Sequence, residues 1–96
     1  IPVAGTLKGW TLLADQSGAV VIDVWKDVYA NYPPDNSDSI TNGNEPEIVA
    51  SDDNAEDTNI TDWTTTAVAA GDVLLANVDS VTALTWVVLE LTMEVT

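Results

Sequence analysis

The segment Thr82 to Val95 is the longest apolar segment of the chain. Thr85, Val87, Leu89, Leu91, Met93 and Val95 fall on one side, and Glu90, Thr92 and Glu94 on the other. A period of two is the signature of a strand with one buried face, and a helix would need apolar residues three and four apart. No span of the chain carries a sustained helical stripe, and the other apolar segments are rich in Val, Thr, Ile and Trp, which suit a pleated surface. Leu7 to Ala14 reads as one strand, closed by the turn Asp15-Gln16-Ser17-Gly18, with Ala19 to Val28 pairing back as a hairpin. Glu47 to Ala50 and Thr58 to Ile60 read as shorter strands. Trp63 to Ala69 and Val73 to Val78 are separated by a tight turn at Ala70-Gly71-Asp72. Seven or eight short antiparallel strands with regular turns predict an all-β chain folded as a single small β-sandwich or jelly roll.

With 96 residues, 46% of them apolar, the chain supports one core and one domain, 1–96. It starts Ile1-Pro2 without Met and reads as a processed chain or as a fragment or C-terminal module of a longer one. Two Lys stand against 16 Asp and Glu, a formal charge of −14, with no Arg, His or Cys. A row of phosphates cannot be neutralised by such a chain, so nucleic acid is excluded as a partner, as are anionic membrane surfaces. No stretch approaches the length of a membrane span, so no insertion is expected. Without His or Cys there is no imidazole base, thiolate or usual zinc ligand.

Nine of the 16 acids lie between Asp35 and Asp62, with six of the seven Asn close by. Pro33-Pro34 and Asn42-Gly43-Asn44 are turn chemistry, so residues 29–46 are expected to form a long loop on one edge of the domain. Asp52, Asn54 and Glu56 match the first alternating ligand positions of a calcium loop, with Asp57 beside them. The match then fails, because Asp57 occupies the turn-glycine position and Trp63 the closing-glutamate position. A loop calcium site at Asp52, Asn54, Glu56 and Asp57 stands against a solvated, charge-protected strand edge. No other cofactor is expected. Paired carboxylates are the only catalytic equipment left, and a small sandwich lacks the deep cleft that would raise one carboxyl pKa, so no enzymatic activity is expected.

The tryptophans raise a question of parity. Trp25 falls between Asp23 and Asp27, on the side opposite Val20, Ile22 and Val24. Trp10 shares a side with Lys8 and Leu12, and Trp86 with Leu84, Val88 and Glu90. Trp10, Trp25 and Trp86 are therefore expected to be covered by a loop, a neighbouring subunit or a ligand. Trp25, Tyr29, Tyr32 and Trp63 form the candidate set for stacking on a glycan, each being equally an ordinary core or loop anchor.

The run Gly9-Trp10-Thr11-Leu12-Leu13-Ala14-Asp15-Gln16-Ser17-Gly18-Ala19-Val20-Val21-Ile22-Asp23-Val24-Trp25-Lys26-Asp27, continued by Tyr29-Ala30-Asn31-Tyr32-Pro33-Pro34, resembles a small β-sandwich domain. That domain recurs in virion structural proteins of tailed bacteriophages: tail fibres, tail tip proteins, and head fibres or decorations. Glu45-Pro46, Trp63-Thr64-Thr65, Ala70-Gly71-Asp72-Val73-Leu74 and Asn77-Val78-Asp79-Ser80 extend the resemblance to about Leu91. The stretch Asp52 to Glu56 departs from it in being more acidic. The resemblance implies a module on the outer surface of a virus particle, homotrimeric as phage fibres usually are, touching other virion proteins and host-surface glycans. The rival expectation is a carbohydrate-binding module of a secreted polysaccharide-degrading enzyme.

Overall fold

The computed structural model describes residues 1–96. The chain is all-β, an antiparallel sheet of five strands: β1 (Gly5–Val28), β2 (Glu47–Asp57), β3 (Ala67–Val68), β4 (Asp72–Thr82) and β5 (Val87–Val95). Every other strand pairs with β1. β2 and β3 lie along one of its edges, and β4 and β5 lie end to end along the other.

The expected hairpin between Leu7–Ala14 and Ala19–Val28 does not form. Both halves belong to β1, and Asp15–Gly18 is a corner rather than a reversal. A strand of 24 residues would run about 80 Å if straight, at about 3.3 Å per residue. The longest dimension of the molecule is 37 Å, so β1 must fold over. All three ribbons break at one level. The β1–β2 register shifts between Leu13 and Gly18, Ser51 in β2 takes a positive φ of 76°, and Ala83–Trp86 separates β4 from β5 with Ala83 at φ 69°. The corner is pinned by Asp15, whose Oδ1 accepts from Thr85 N at 3.0 Å and Trp86 N at 3.2 Å. Gln16 Nε2 donates to the Ala83 carbonyl. Folding the sheet at this corner makes the two layers of a small sandwich out of five strands. The seven or eight expected from sequence counted bent strands twice, and Thr58–Ile60 is not a strand at all.

The core lies inside the fold. Leu7, Trp10 and Leu12 from one half of β1 and Val20, Ile22 and Val24 from the other are buried with Ile48 of β2 and Val68 of β3. Ile40, Ile60 and Trp63 descend from the loops to close it. Residues 29–46 form the expected edge loop, with two short 3₁₀ turns (Tyr29–Asn31 and Asn36–Asp38) and a bridge from Ser39 to Trp25. Asn42 and Gly43 both have positive φ, 53° and 76°, and Asn44 N donates to the Thr41 carbonyl at 2.9 Å, a turn geometry that Asn-Gly favours. Gly71, at φ 91°, makes the turn before β4. There the Asp72 carboxylate accepts from Ala69 N at 2.8 Å and meets Lys26 Nζ at 3.4 Å.

Candidate functional site

Two regions outside the core carry concentrated chemistry, and both grow from the second half of β1. The first is the tip where β1 ends. Asp27 Oδ1 accepts from Val28 N at 2.7 Å and Asn31 Nδ2 at 3.0 Å, and Tyr32 N donates to the Tyr29 carbonyl at 3.0 Å, which together wind the chain into a tight turn. That turn sets Tyr29 and Tyr32 side by side, with ring centroids 6.4 Å apart and planes 22° apart. The rings stand in solvent, with 76% of Tyr29 and 62% of Tyr32 exposed. Asp35 and Asp38 follow in the chain in a reciprocal capping arrangement, Asp35 N donating to Asp38 Oδ2 and Ser37 N to Asp35 Oδ1, both at 2.9 Å.

Of the four aromatics expected on a glycan platform, only these two tyrosines stand together in solvent. Trp63 is a correction. It is 5% exposed and belongs to the core, and its indole Nε1 donates to the Asn44 carbonyl at 3.1 Å, tying two loops together. Trp25 is half-buried and its Nε1 donates to Asp23 Oδ2 at 3.0 Å, so its polar edge serves the protein. Among the expected interface residues, Trp10 is likewise corrected. The register shift at Leu7–Gly9 puts an extra residue, Lys8, in β1, so Leu7 and Trp10 reach the same inner side and Trp10 is 8% exposed. Trp86 is 55% exposed beside the apolar cleft formed by Val78, Val81 and Leu84.

The second region is centred on Asp23, a carboxylate turned away from the core yet buried. Its Oδ1 accepts from Val24 N at 2.9 Å, Ser39 Oγ at 2.7 Å and Thr41 Oγ1 at 2.8 Å, and its Oδ2 takes the Trp25 indole. Burial alone would raise its pKa, but the hydroxyls of Ser39 and Thr41, the indole and the backbone N–H outweigh it and hold the carboxyl below its ordinary value. Glu45 and Asp79 approach it, one carboxylate oxygen from each of the three residues lying within 4.8 Å of the others. Asp23 is committed to its four donors, two of which, Ser39 and Thr41, fasten the edge loop to β1, while Glu45 and Asp79 add negative charge beside it. Sequence reasoning missed it. The available signal was an Asp between Ile22 and Val24, in the middle of an apolar run.

For Asp52, Asn54, Glu56 and Asp57 the strand-edge reading is the one that forms, not the calcium loop weighed against it. Asp52, Asn54, Glu56 and Asp57 all lie within β2, where same-side residues repeat at about 6.6 Å along the strand, too far apart to close around one ion. The Asp57 carboxylate instead accepts from Asn59 N at 2.9 Å, starting the turn after β2. Protein-family models, curated proteins and solved structures, when compared with this chain, give no match.

Proposed function

We propose that the chain is a non-catalytic display module of a tailed-bacteriophage particle, of the tail-fibre or head-fibre and decoration kind. It would stand on the outer surface, associate with copies of itself and offer its Tyr29–Tyr32 tip to host-surface glycans. The observation that carries the binding step is that tip: two stacked rings, mostly exposed, flanked by carboxylates and amides. A pyranose presents an apolar face of C–H bonds that stacks on such rings while its hydroxyls donate to neighbouring oxygens. The surrounding acids favour neutral sugars over sialylated or phosphorylated ones, because an anionic ligand would approach a chain of charge −14. The virion assignment is supported by the resemblance of the Gly9–Asp27 run, which makes up most of the spine strand β1 and pairs with β2, β4 and β5. A non-catalytic reading is supported by the carboxyl groups of Asp15, Asp23, Asp35 and Asp72, all held below their ordinary pKa by hydrogen bonds that serve the fold. None of these four is therefore placed as a general acid, which needs the opposite displacement.

Two measurements test the proposal separately. Mass spectrometry of purified particles carrying this gene product is expected to find the chain in the virion, and antibody labelling to place it outside; its absence from particles would sink the virion role. A glycan array is expected to give neutral-sugar signals that Tyr29→Ala and Tyr32→Ala both abolish. Binding that survives both changes would sink the tip as the site. Binding by a chain encoded within a secreted polysaccharide-degrading enzyme would favour the carbohydrate-binding module instead.

A further inference from the structure

The outer edge of β5 is open along its whole length, since β5 pairs with β1 alone. Trp86 and Thr96, just beyond its two ends, turn their backbone towards β1: Asp15 N donates to the Trp86 carbonyl, and Thr96 N to the Ala4 carbonyl. The extra residue at the register shift belongs to β1, so β5 alternates without interruption. Its odd residues, Val87, Leu89, Leu91, Met93 and Val95, therefore direct their N–H and C=O groups outward. The same odd residues hold the apolar side chains at the rim of the core, where Val87, Leu89, Leu91 and Met93 are only half-covered.

An edge of this kind is normally blunted by Lys, Pro or a bulge. β2 is blunted, with Glu47, Asp52, Asp53 and Glu56 along it and a positive φ at Ser51. β5 has no Lys, Pro, bulge or positive φ, and Glu90 and Glu94 are its only charges. Its charges do select a partner register. If β5 of a second copy ran antiparallel with Leu91 opposite Leu91, every odd residue would face an odd residue and the open hydrogen-bonding groups would match. Leu89 would face Met93, extending the apolar row across both copies. Glu90 would face Thr92 and Glu94 would face Val88. Shifting the pairing by two residues one way sets Glu90 against Glu90, and the other way sets Glu90 against Glu94, which like-charge repulsion disfavours.

We propose that the occupant of this edge is a second copy of the chain, paired β5 to β5 about a two-fold axis at Leu91. The inference rests on the self-association in the proposed function and names its surface. It replaces the three-fold arrangement implied by the family resemblance with a two-fold one, because pairing an edge with itself is isologous and closes at two. Trp86 then sits at the end of the paired strands, opposite Thr96 of the second copy.

The chain has no Cys, so single cysteines report the pairing. Hydrogen-bonded partners in an antiparallel pair have Cα atoms about 5.5 Å apart, within disulfide reach. Leu91→Cys is expected to convert almost wholly to a covalent dimer on mild oxidation. The double change Glu90→Cys with Thr92→Cys, both at exposed positions, should do the same without touching the core. Glu90→Cys alone should form no covalent dimer, its symmetry mate lying about 7 Å or more away on the diagonal. Sedimentation of the unmodified protein at about 0.15 M salt is expected to give a dimer. Cross-linking by Glu90→Cys alone, failure of the double variant, or a sedimenting trimer would overturn the two-fold pairing and leave self-association standing. A monomer would overturn both, while the virion assignment would still be decided by particle composition.

Discussion

Trp63 and Tyr32 are both aromatic residues in loops, and burial separates their roles. Trp63→Ala should cost about 3–5 kcal/mol of stability, the usual penalty for removing a buried aromatic, with the lost indole bond to Asn44 included. Tyr32→Ala should stay within about 0.5 kcal/mol, since most of the ring is already in water. Urea unfolding of the two variants measures the difference. Asp23 makes a prediction about pH. Its folded pKa lies below the ordinary 3.8, so the stability it contributes is fully present above that value and drains away as pH falls through the folded pKa. Asp23→Asn loses the ionised acceptor and points an amide N–H at a donor, and should cost about 1–3 kcal/mol at neutral pH. The gap between the two proteins should close below pH 3.8, as followed by thermal melts; a gap independent of pH would refute the assignment. Parity along β1 was legible for Val20, Ile22, Val24 and Trp25. It misplaced Trp10, because one extra residue at Lys8 inverts the alternation and no residue type announces such a bulge.

Among the elements, β1 departs most from its sequence reading. Asp-Gln-Ser-Gly is good turn chemistry, and a reversal there would give an ordinary hairpin. The reversal loses because β4 and β5 arrive on the same edge and continue the ladder across the corner, with Asp15 satisfying the N–H groups of Thr85 and Trp86 that the break would orphan. Long-range pairing overrides local propensity there. The boundary residues Ala14 and Ala19 were nevertheless identified, and β5 emerged with its faces correctly assigned, because one-sided burial imprints period two most clearly there. Gly18 tests the corner. A Cβ there would collide with the Thr82 carbonyl, which is backbone and cannot swing aside. Gly18→Ala should lower stability by about 1–3 kcal/mol, seen as a shifted urea midpoint, whereas Gly43→Ala meets open space and is penalised only by its positive φ.

For the whole molecule, charge and size act together. At about 0.01 M salt the screening length is about 30 Å, close to the 37 Å long axis, so nearly every carboxylate feels every other. With only two Lys, one already paired to Asp72, repulsion outweighs attraction. Raising salt to about 0.15 M cuts the screening length to about 8 Å and should raise the melting temperature. It should also strengthen association between copies. A melting temperature that fell with salt would mean that attractive pairs dominate. The net charge was legible from the sequence. What was not legible is its placement: Asp23 lies buried beneath the edge loop, while the β2 acids line an outer edge.

The spine strand also has a consequence for biogenesis. β1 is made before all of its partners, and its first half finds its β5 partner only when Val95 has been synthesised. At ordinary rates of translation the edge that receives β5 waits on the order of 5 s, apolar and unpaired. Asp15, Asp23 and Asp27 punctuate it at intervals that leave no long uncharged run through its second half. Charges so placed in an apolar strand are the kind that keep nascent chains from coalescing on a polysome.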